Sequence, residues 1–70
     1  MQFQIGDFVE PIYCPGAHRM VVDLNPGDPF TTPHPSIVIG WRDHAGKYHE
    51  GCIEARYARL VFRAGDKALR

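Results

Sequence analysis

Apolar and polar residues alternate along much of this chain, whereas apolar residues at helical spacing are nearly absent. The clearest alternation is SIVIGWRD, residues 36–43, in which Ile37, Ile39 and Trp41 fall on one face of a predicted strand. The tripeptide HAG that follows has the length and the glycine of a hairpin loop, and residues 47–53 return as the partner strand. The pattern therefore predicts a central β-hairpin.

The rest of the chain divides into short segments separated by glycine and proline. Pro11 in the first of them requires an edge position or a bulge, because proline cannot donate to a strand ladder. We predict, in chain order, a strand over 7–14, a turn over 15–17, a strand over 18–24, a helical turn over 54–58 and a last strand over 59–62. These elements predict an all-β, small SH3-like barrel of four to five strands, with one short helical turn before the last strand.

The predicted barrel domain covers residues 1–62, and residues 63–70 are predicted to form a basic C-terminal tail. A chain of 70 residues holds one domain, and its stability margin is small because folding buries only about 60% of the unfolded surface. The alternation assigns the following apolar residues to the core: Ile5, Val9, Ile12, Met20, Val22, Ile37, Ile39, Trp41, Ile53, Leu60 and Phe62.

A proline-rich segment, NPGDPFTTPHP at residues 25–35, separates the second predicted strand from the central hairpin. Its prolines exclude regular structure and favour a stiff, projecting loop. The residues of this loop that we predict to contact a partner are Phe30, His34, Pro29 and Pro33. The alternative is that the loop caps the open end of the barrel, with Phe30 as the plug.

Four segments follow one another along the chain: IGDFVE, GAHRMVV, IVIGWRDHAGK and EARYARLVFRA. Their order resembles the YodC-like family of small bacterial proteins, which have a Gly-Asp opening, a Gly-Gly-x-x-Met-x-Val turn and strand, a Val-x-x-x-Trp hairpin and a closing leucine. Ala17 stands where the second glycine would be, and the proline-rich loop is longer than such proteins usually carry. The resemblance implies an SH3-like barrel and implies no activity.

The composition is that of an ordinary folded domain, with 44% hydrophobic residues. The chain has no apolar run of membrane-spanning length, and its first residues lack the pattern of a signal peptide. We therefore expect a cytoplasmic protein with no membrane partner. Its two cysteines are then expected to be free thiols.

Charge is unevenly distributed, although the formal net charge is zero. The first half carries the excess of acids and the second half the excess of bases, which points to an acidic partner for the second half. A nucleic-acid interface on an arginine face is therefore our alternative function, with these candidates: Arg42, Arg56, Tyr57, Arg59 and Arg63. The near-neutral isoelectric point weighs against it.

Two pairs of residues could supply a zinc site: Cys14 with His18, and His49 with Cys52. In an extended strand, however, His49 and Cys52 point to opposite faces, and the chain has no Cys-x-x-Cys knuckle. The interpretation we favour is that the cysteines are small buried apolar residues and the histidines are surface polar groups. We therefore predict no metal and no cofactor.

Catalysis is not expected, because a cysteine–histidine pair needs an orienting group and a cleft that so small a barrel does not hold. We therefore predict a non-enzymatic protein-binding module that acts through the loop at 25–35. Its size also fits an accessory or phage-encoded inhibitor of a larger host complex. The sequence is compatible with a homo-oligomer.

Overall fold

The computed structural model describes residues 2–27, 30 and 34–65. These described residues form five strands and one short 3-10 helix: β1 (Phe8–Pro11), β2 (Arg19–Asn25), β3 (Ser36–Arg42), β4 (Tyr48–Glu54), the 3-10 helix (Ala55–Tyr57) and β5 (Ala58–Phe62). The all-β prediction is confirmed. Within the described ranges, no helix has the length and apolar character needed to cross a membrane.

All strand pairs are antiparallel and form one sheet with the order β4-β3-β2-β1-β5. The sheet is open, because β4 and β5 are its two edges and do not pair with each other in the described chain. The expectation of a closed barrel is therefore not met. The structure accommodates Pro11 in β1 because only one neighbouring strand pairs with it. Pro11 pairs with Ala58 of β5, whereas the pairing of β1 with β2 ends earlier in β1, at the residue that faces Arg19.

The core lies on one face of this sheet, which we call the inner face. Its buried apolar residues are Phe3, Val9, Val21, Ile37, Ile39, Ala55 and Ala58, and Leu24, Trp41 and Ile53 pack against them. In β2 the register shifts between Val21 and Asp23, so that one extra residue, Val22, stands in the strand. Because of this bulge, Val21 and Leu24 pair with Ile39 and Ile37 and both face inward.

Several residues assigned to the core are exposed, and each has a local reason. Ile5 and Ile12 lie in turns on either side of β1, not in a strand. Met20 precedes the bulge and pairs with Gly40, so it points to the opposite, outer face of the sheet. Leu60 shares a face with Val9 but belongs to an edge strand of an open sheet. Val22 and Phe62 are half-buried.

Two glycines of the β3–β4 hairpin are each covered by an aromatic ring on opposite faces of the sheet. On the inner face, the Trp41 ring lies 3.5 Å from the place that a Cβ of Gly51 would take. On the outer face, the ring and hydroxyl of Tyr48 occupy the space of a Gly40 side chain. The Tyr48 hydroxyl donates to Glu50 at 2.9 Å, and this hydrogen bond is the main reason that the pKa of Tyr48 is raised.

A buried carboxylate, Asp7, joins the first and last described segments of the chain. It has no solvent exposure and accepts hydrogen bonds from the backbone N–H groups of Gln4 and Ala64 and from the Arg63 guanidinium. Burial alone would raise the pKa of this carboxyl, but the three donors outweigh it and the pKa is lowered. Asp7 therefore stays ionised inside the fold.

Candidate functional site

Phe30 is the most exposed large apolar residue of the described chain. The residue is 91% exposed, and it stands at the centre of the proline-rich segment. A ring with this exposure does not plug the interior of the sheet. The placement therefore favours the interpretation of Phe30 as part of an outer surface over that of a plug.

The other residues predicted to contact a partner are placed only in part. His34 is exposed, whereas Pro29 and Pro33 lie outside the described residues. Both ends of the segment are fixed, because Asn25 pairs with Ser36 and the Pro35 carbonyl accepts a hydrogen bond from Ala55 at 2.9 Å. Phe30 therefore lies in a segment whose two ends are both held by the rest of the fold.

Two of the arginines that we predict for nucleic-acid binding are paired with carboxylates in β1 or directly before it. Arg63 lies 2.9 Å from the buried carboxylate of Asp7 and also donates to the Gln2 carbonyl. Arg59 lies 3.0 Å from Glu10, which also accepts from the backbone N–H of Gly16. The hydrogen bond from Gly16, followed by Arg59, lowers the pKa of Glu10 against the effect of its partial burial. These arginines hold β5 against β1.

The remaining candidates of that group also contact neighbours in the same chain. Arg56 lies 2.7 Å from Glu54 and over the ring of Tyr57 at 4.9 Å. Arg42 lies over the ring of Tyr48 and donates to the Gly46 carbonyl. The structure therefore places no extended, uncompensated row of arginines on the part of the chain that it describes.

The residues of the zinc alternative do not come together. His49 and Cys52 lie in β4 at positions of opposite face, while Cys14 and His18 lie at the turn between β1 and β2. Both cysteines are exposed thiols, so the interpretation of them as buried apolar residues is wrong. Among residues 2–27, 30 and 34–65, no three His, Cys, Asp or Glu side chains form a group that could hold a metal ion.

A cluster that the sequence did not reveal lies across β2, β3 and β4 on the inner face. The Arg19 guanidinium stands 4.0 Å from the centre of the Trp41 ring, and His49 stacks on that ring at 5.7 Å. His49 is held in turn by Asp43, whose Oδ2 lies 2.7 Å from Nε2, and this hydrogen bond lowers the pKa of Asp43. The cluster closes one end of the core, and its cation–ring contact is made within the chain.

The only sequence signal for this cluster was the pairing of Trp41 with His49, which the predicted hairpin register implies. Arg19 could not be found in that way, because its position depends on the β2–β3 register and on the bulge. The carboxylates of Asp7 and Glu10 were missed for a similar reason, since their arginine partners come from β5 and from the residue directly after it.

No cleft opens among the described residues. Comparison of the chain with protein-family models, with curated proteins and with solved structures gives no match. The resemblance to the YodC-like family therefore stays a prediction.

Proposed function

We propose that this protein is a non-enzymatic module that binds another protein, with Phe30 as the anchor of its contact surface. The observation that carries this proposal is the 91% exposure of Phe30 within a segment of four prolines. Aromatic side chains contribute large apolar areas when an interface buries them, and they are frequent among the residues that dominate binding.

The attachment of the segment supports the same function. The pairing of Asn25 with Ser36 closes it at the sheet, and the hydrogen bond from Ala55 to Pro35 ties it to the 3-10 helix. Proline restricts the backbone before any partner arrives, so that less conformational entropy is lost on binding. His34, Pro29 and Pro33 are the further residues that we propose for this surface.

The alternative, nucleic-acid binding, is less well supported by the electrostatics. Arg56, Arg59 and Arg63 each lie within 3.0 Å of a carboxylate oxygen. Nucleic-acid affinity comes largely from cations that neutralise phosphates and release their counterions. Arginines that are already paired with carboxylates of the same chain contribute less to nucleic-acid affinity. Breaking their ion pairs to bind phosphates would cost additional free energy.

We also propose that the sheet is a strongly bent SH3-like barrel that remains open between β4 and β5. The support is the chain order of the elements, with β1 between β2 and β5 in the sheet and a 3-10 helix directly before β5. SH3-like domains commonly bind peptides and proteins through their loops and edge strands. This is an analogy at the level of fold and adds to the argument from Phe30 without replacing it.

The experiment that tests the function is affinity capture from a cell lysate, with and without nuclease, followed by mass spectrometry. Wild-type protein is compared with Phe30→Ala and with Ile5→Ala, a matched control in which another exposed apolar side chain is shortened. Capture of a discrete protein that survives nuclease, is lost with Phe30→Ala and is kept with Ile5→Ala supports the proposal. Equal capture by both variants contradicts the role of Phe30.

The same samples test the alternative. Arg42→Gln and Arg56→Gln remove cations that have no buried carboxylate partner, so these variants are expected to keep the fold. Nucleic-acid binding is assigned instead if the captured material disappears after nuclease treatment, with these two variants and with added salt.

A further inference from the structure

β4 is one edge of the open sheet, and among the described strands it pairs with β3 alone. The hairpin register fixes which of its backbone groups face outward. Asp43 N–H donates to the Lys47 carbonyl at 3.0 Å, which makes this a hydrogen-bonded pair, and such pairs alternate along an antiparallel ladder. His49, Gly51 and Ile53 therefore bond to β3. The N–H and C=O groups that point away from the sheet belong to Tyr48, Glu50, Cys52 and Glu54.

This edge is long and regular. The pairing of β3 with β4 runs without a register shift from Arg42–Tyr48 to Ser36–Glu54, and β4 contains no proline. Outside helices and the β3–β4 ladder, none of the backbone hydrogen bonds of the described chain involves Tyr48, Glu50 or Cys52. Glu54 is the N-cap of the 3-10 helix, so its C=O also accepts the first hydrogen bond of that helix. A row of backbone donors and acceptors of this kind is a template for pairing with another strand.

The order of side chains along the edge selects one self-pairing register. If two β4 strands meet antiparallel about a two-fold axis at Gly51, Tyr48 stands opposite Glu54 and Glu50 opposite Cys52, and every outward-facing residue is paired. Moving the axis to Glu50 places two Glu50 carboxylates opposite each other. Moving it to Cys52 places Glu50 opposite Glu54. Like charges directly opposite are destabilising, so the axis at Gly51 is favoured.

We propose that β4 pairs with β4 of a second copy of this chain, antiparallel about a two-fold axis at Gly51, to form a continuous sheet across two protomers. The surroundings of the axis fit this arrangement. Gly51 has no side chain, and the Trp41 ring that covers it reaches the axis from each protomer. On the same face, Ile53 stands opposite His49 of the second copy.

The carboxylates of the edge favour a second copy over a basic peptide. Glu50 already accepts from the Tyr48 hydroxyl, and Glu54 already pairs with Arg56 at 2.7 Å. A basic peptide would have to displace these bonds to gain its own ion pairs. A second copy forms the backbone ladder and leaves both contacts in place.

The first test is the molar mass in solution, measured by sedimentation equilibrium over a range of chain concentrations up to about 1 mM, the range of weak association. We expect a dimer for the wild type. Cys52→Pro removes an outward N–H without removing a bond to β3, and Cys52→Ser is its matched control because it keeps that N–H. We expect Cys52→Pro to weaken the dimer by about tenfold or more, since symmetry removes two hydrogen bonds, and Cys52→Ser to leave it unchanged.

A second test reports the register and does not depend on a proline variant that folds. In a Cys14→Ser background, Glu50→Cys places a new sulfur opposite Cys52 of the second copy, at a separation that a disulfide spans in a hydrogen-bonded pair. We expect a covalent dimer on mild oxidation. With Cys52→Ser added, the crosslink is expected to disappear, because the two introduced sulfurs do not face each other.

A monomer at every concentration overturns the proposal. A dimer that Cys52→Pro leaves intact while the circular dichroism remains native also overturns it. A crosslink that persists when Cys52→Ser is added places the axis at Glu50 and refutes the register. None of these results depends on Phe30. Pairing of β4 with a second copy can therefore fail without affecting the proposed binding function of Phe30, and the reverse also holds.

Discussion

The Arg63 guanidinium donates at 2.9 Å to an Asp7 carboxylate that has no exposure to solvent, across a sequence separation of 56 residues. The arginine itself is partly in water, with its side chain 45% exposed. The pair is therefore asymmetric, since one member depends on the fold for all of its hydrogen bonds and the other does not.

That asymmetry predicts unequal effects of removing the two partners. Asp7→Ala leaves the N–H groups of Gln4 and Ala64 without their acceptor, and we expect it to lower the free energy of unfolding by about 3 kcal/mol. Arg63→Ala leaves those backbone bonds in place and is expected to cost about 1 kcal/mol or less. Urea unfolding followed by Trp41 fluorescence measures both. Equal losses would show that the ion pair, not the backbone donors, dominates.

The same carboxylate predicts the pH dependence of stability. Because the pKa of Asp7 is lowered in the folded state from its ordinary 3.8, the unfolded chain binds more protons near that pH. The stabilisation is complete above the unfolded pKa and is lost as the pH falls through the lower folded pKa. Glu10 and Asp43 are shifted in the same direction.

We therefore expect the unfolding free energy to be nearly constant from pH 7 down to about 5 and to fall below that. Asp7→Asn is expected to reduce the slope of the fall in acid, because it removes one of the shifted groups. Urea titrations at several pH values measure the slope. An unchanged slope for Asp7→Asn would assign the acid sensitivity to Glu10 and Asp43.

The two covered glycines predict opposite responses to alanine. A Cβ on Gly40 meets the ring and hydroxyl of Tyr48, so we expect Gly40→Ala to destabilise by about 1–3 kcal/mol. A Cβ on Gly51 meets the Trp41 ring at an ordinary contact distance of 3.5 Å, so we expect Gly51→Ala to be neutral or stabilising by up to about 1 kcal/mol. Thermal unfolding compares them.

A double variant tests the cause. If the Tyr48 side chain is the obstacle, then adding Tyr48→Ala to Gly40→Ala will cost less than the sum of the two single changes. Additive effects would locate the strain in the backbone of β3 and not in the ring.

The contact between Arg19 and Trp41 predicts a spectroscopic change. Trp41 is the only tryptophan, and Arg19 covers one face of its ring at 4.0 Å. Arg19→Ala is expected to move the fluorescence emission to longer wavelength and to cost about 0.5–1 kcal/mol. Arg42→Ala, which uncovers Tyr48 instead, is the control and is expected to leave the emission maximum unchanged. A shift in both variants would mean that the emission reports the general loosening of the sheet.

The local elements could be predicted from the sequence because strand periodicity and turn residues are local signals. The β3–β4 hairpin is an example, with Ile37, Ile39 and Trp41 on the inner face as the alternation indicates. The face of the first half of β2 was predicted wrongly, whereas Leu24 after the bulge does pack against the core. An alternating pattern through Met20, Val22 and Leu24 contains no sign of the bulge that turns Val21 inward instead.

The long-range features could not be predicted for a different reason. Closure of the barrel depends on the twist of the sheet and on the path of β5. The alternation of apolar and polar residues predicts neither of them. The arginine partners of Asp7 and Glu10 are more than 45 residues away. A charged residue within a strand pattern is predicted to be exposed as long as such a partner is not known. Phe30 could be assigned to a projecting segment because proline is a local signal, but Pro29 and Pro33 lie outside the described residues.

The position of β1 between β2 and β5 has a consequence for how the protein is made on the ribosome. The strands β1 to β4 follow one another in the sheet as in the chain, so they can pair as they are synthesised. The carboxylate of Asp7 must wait, because two of its donors are Arg63 and Ala64. Until β5 and the two residues after it have left the ribosome exit tunnel, the Asp7 carboxylate lacks these two donors and β1 lacks its partner on one side. We therefore expect the cooperative step of folding to wait until the whole sheet has been translated.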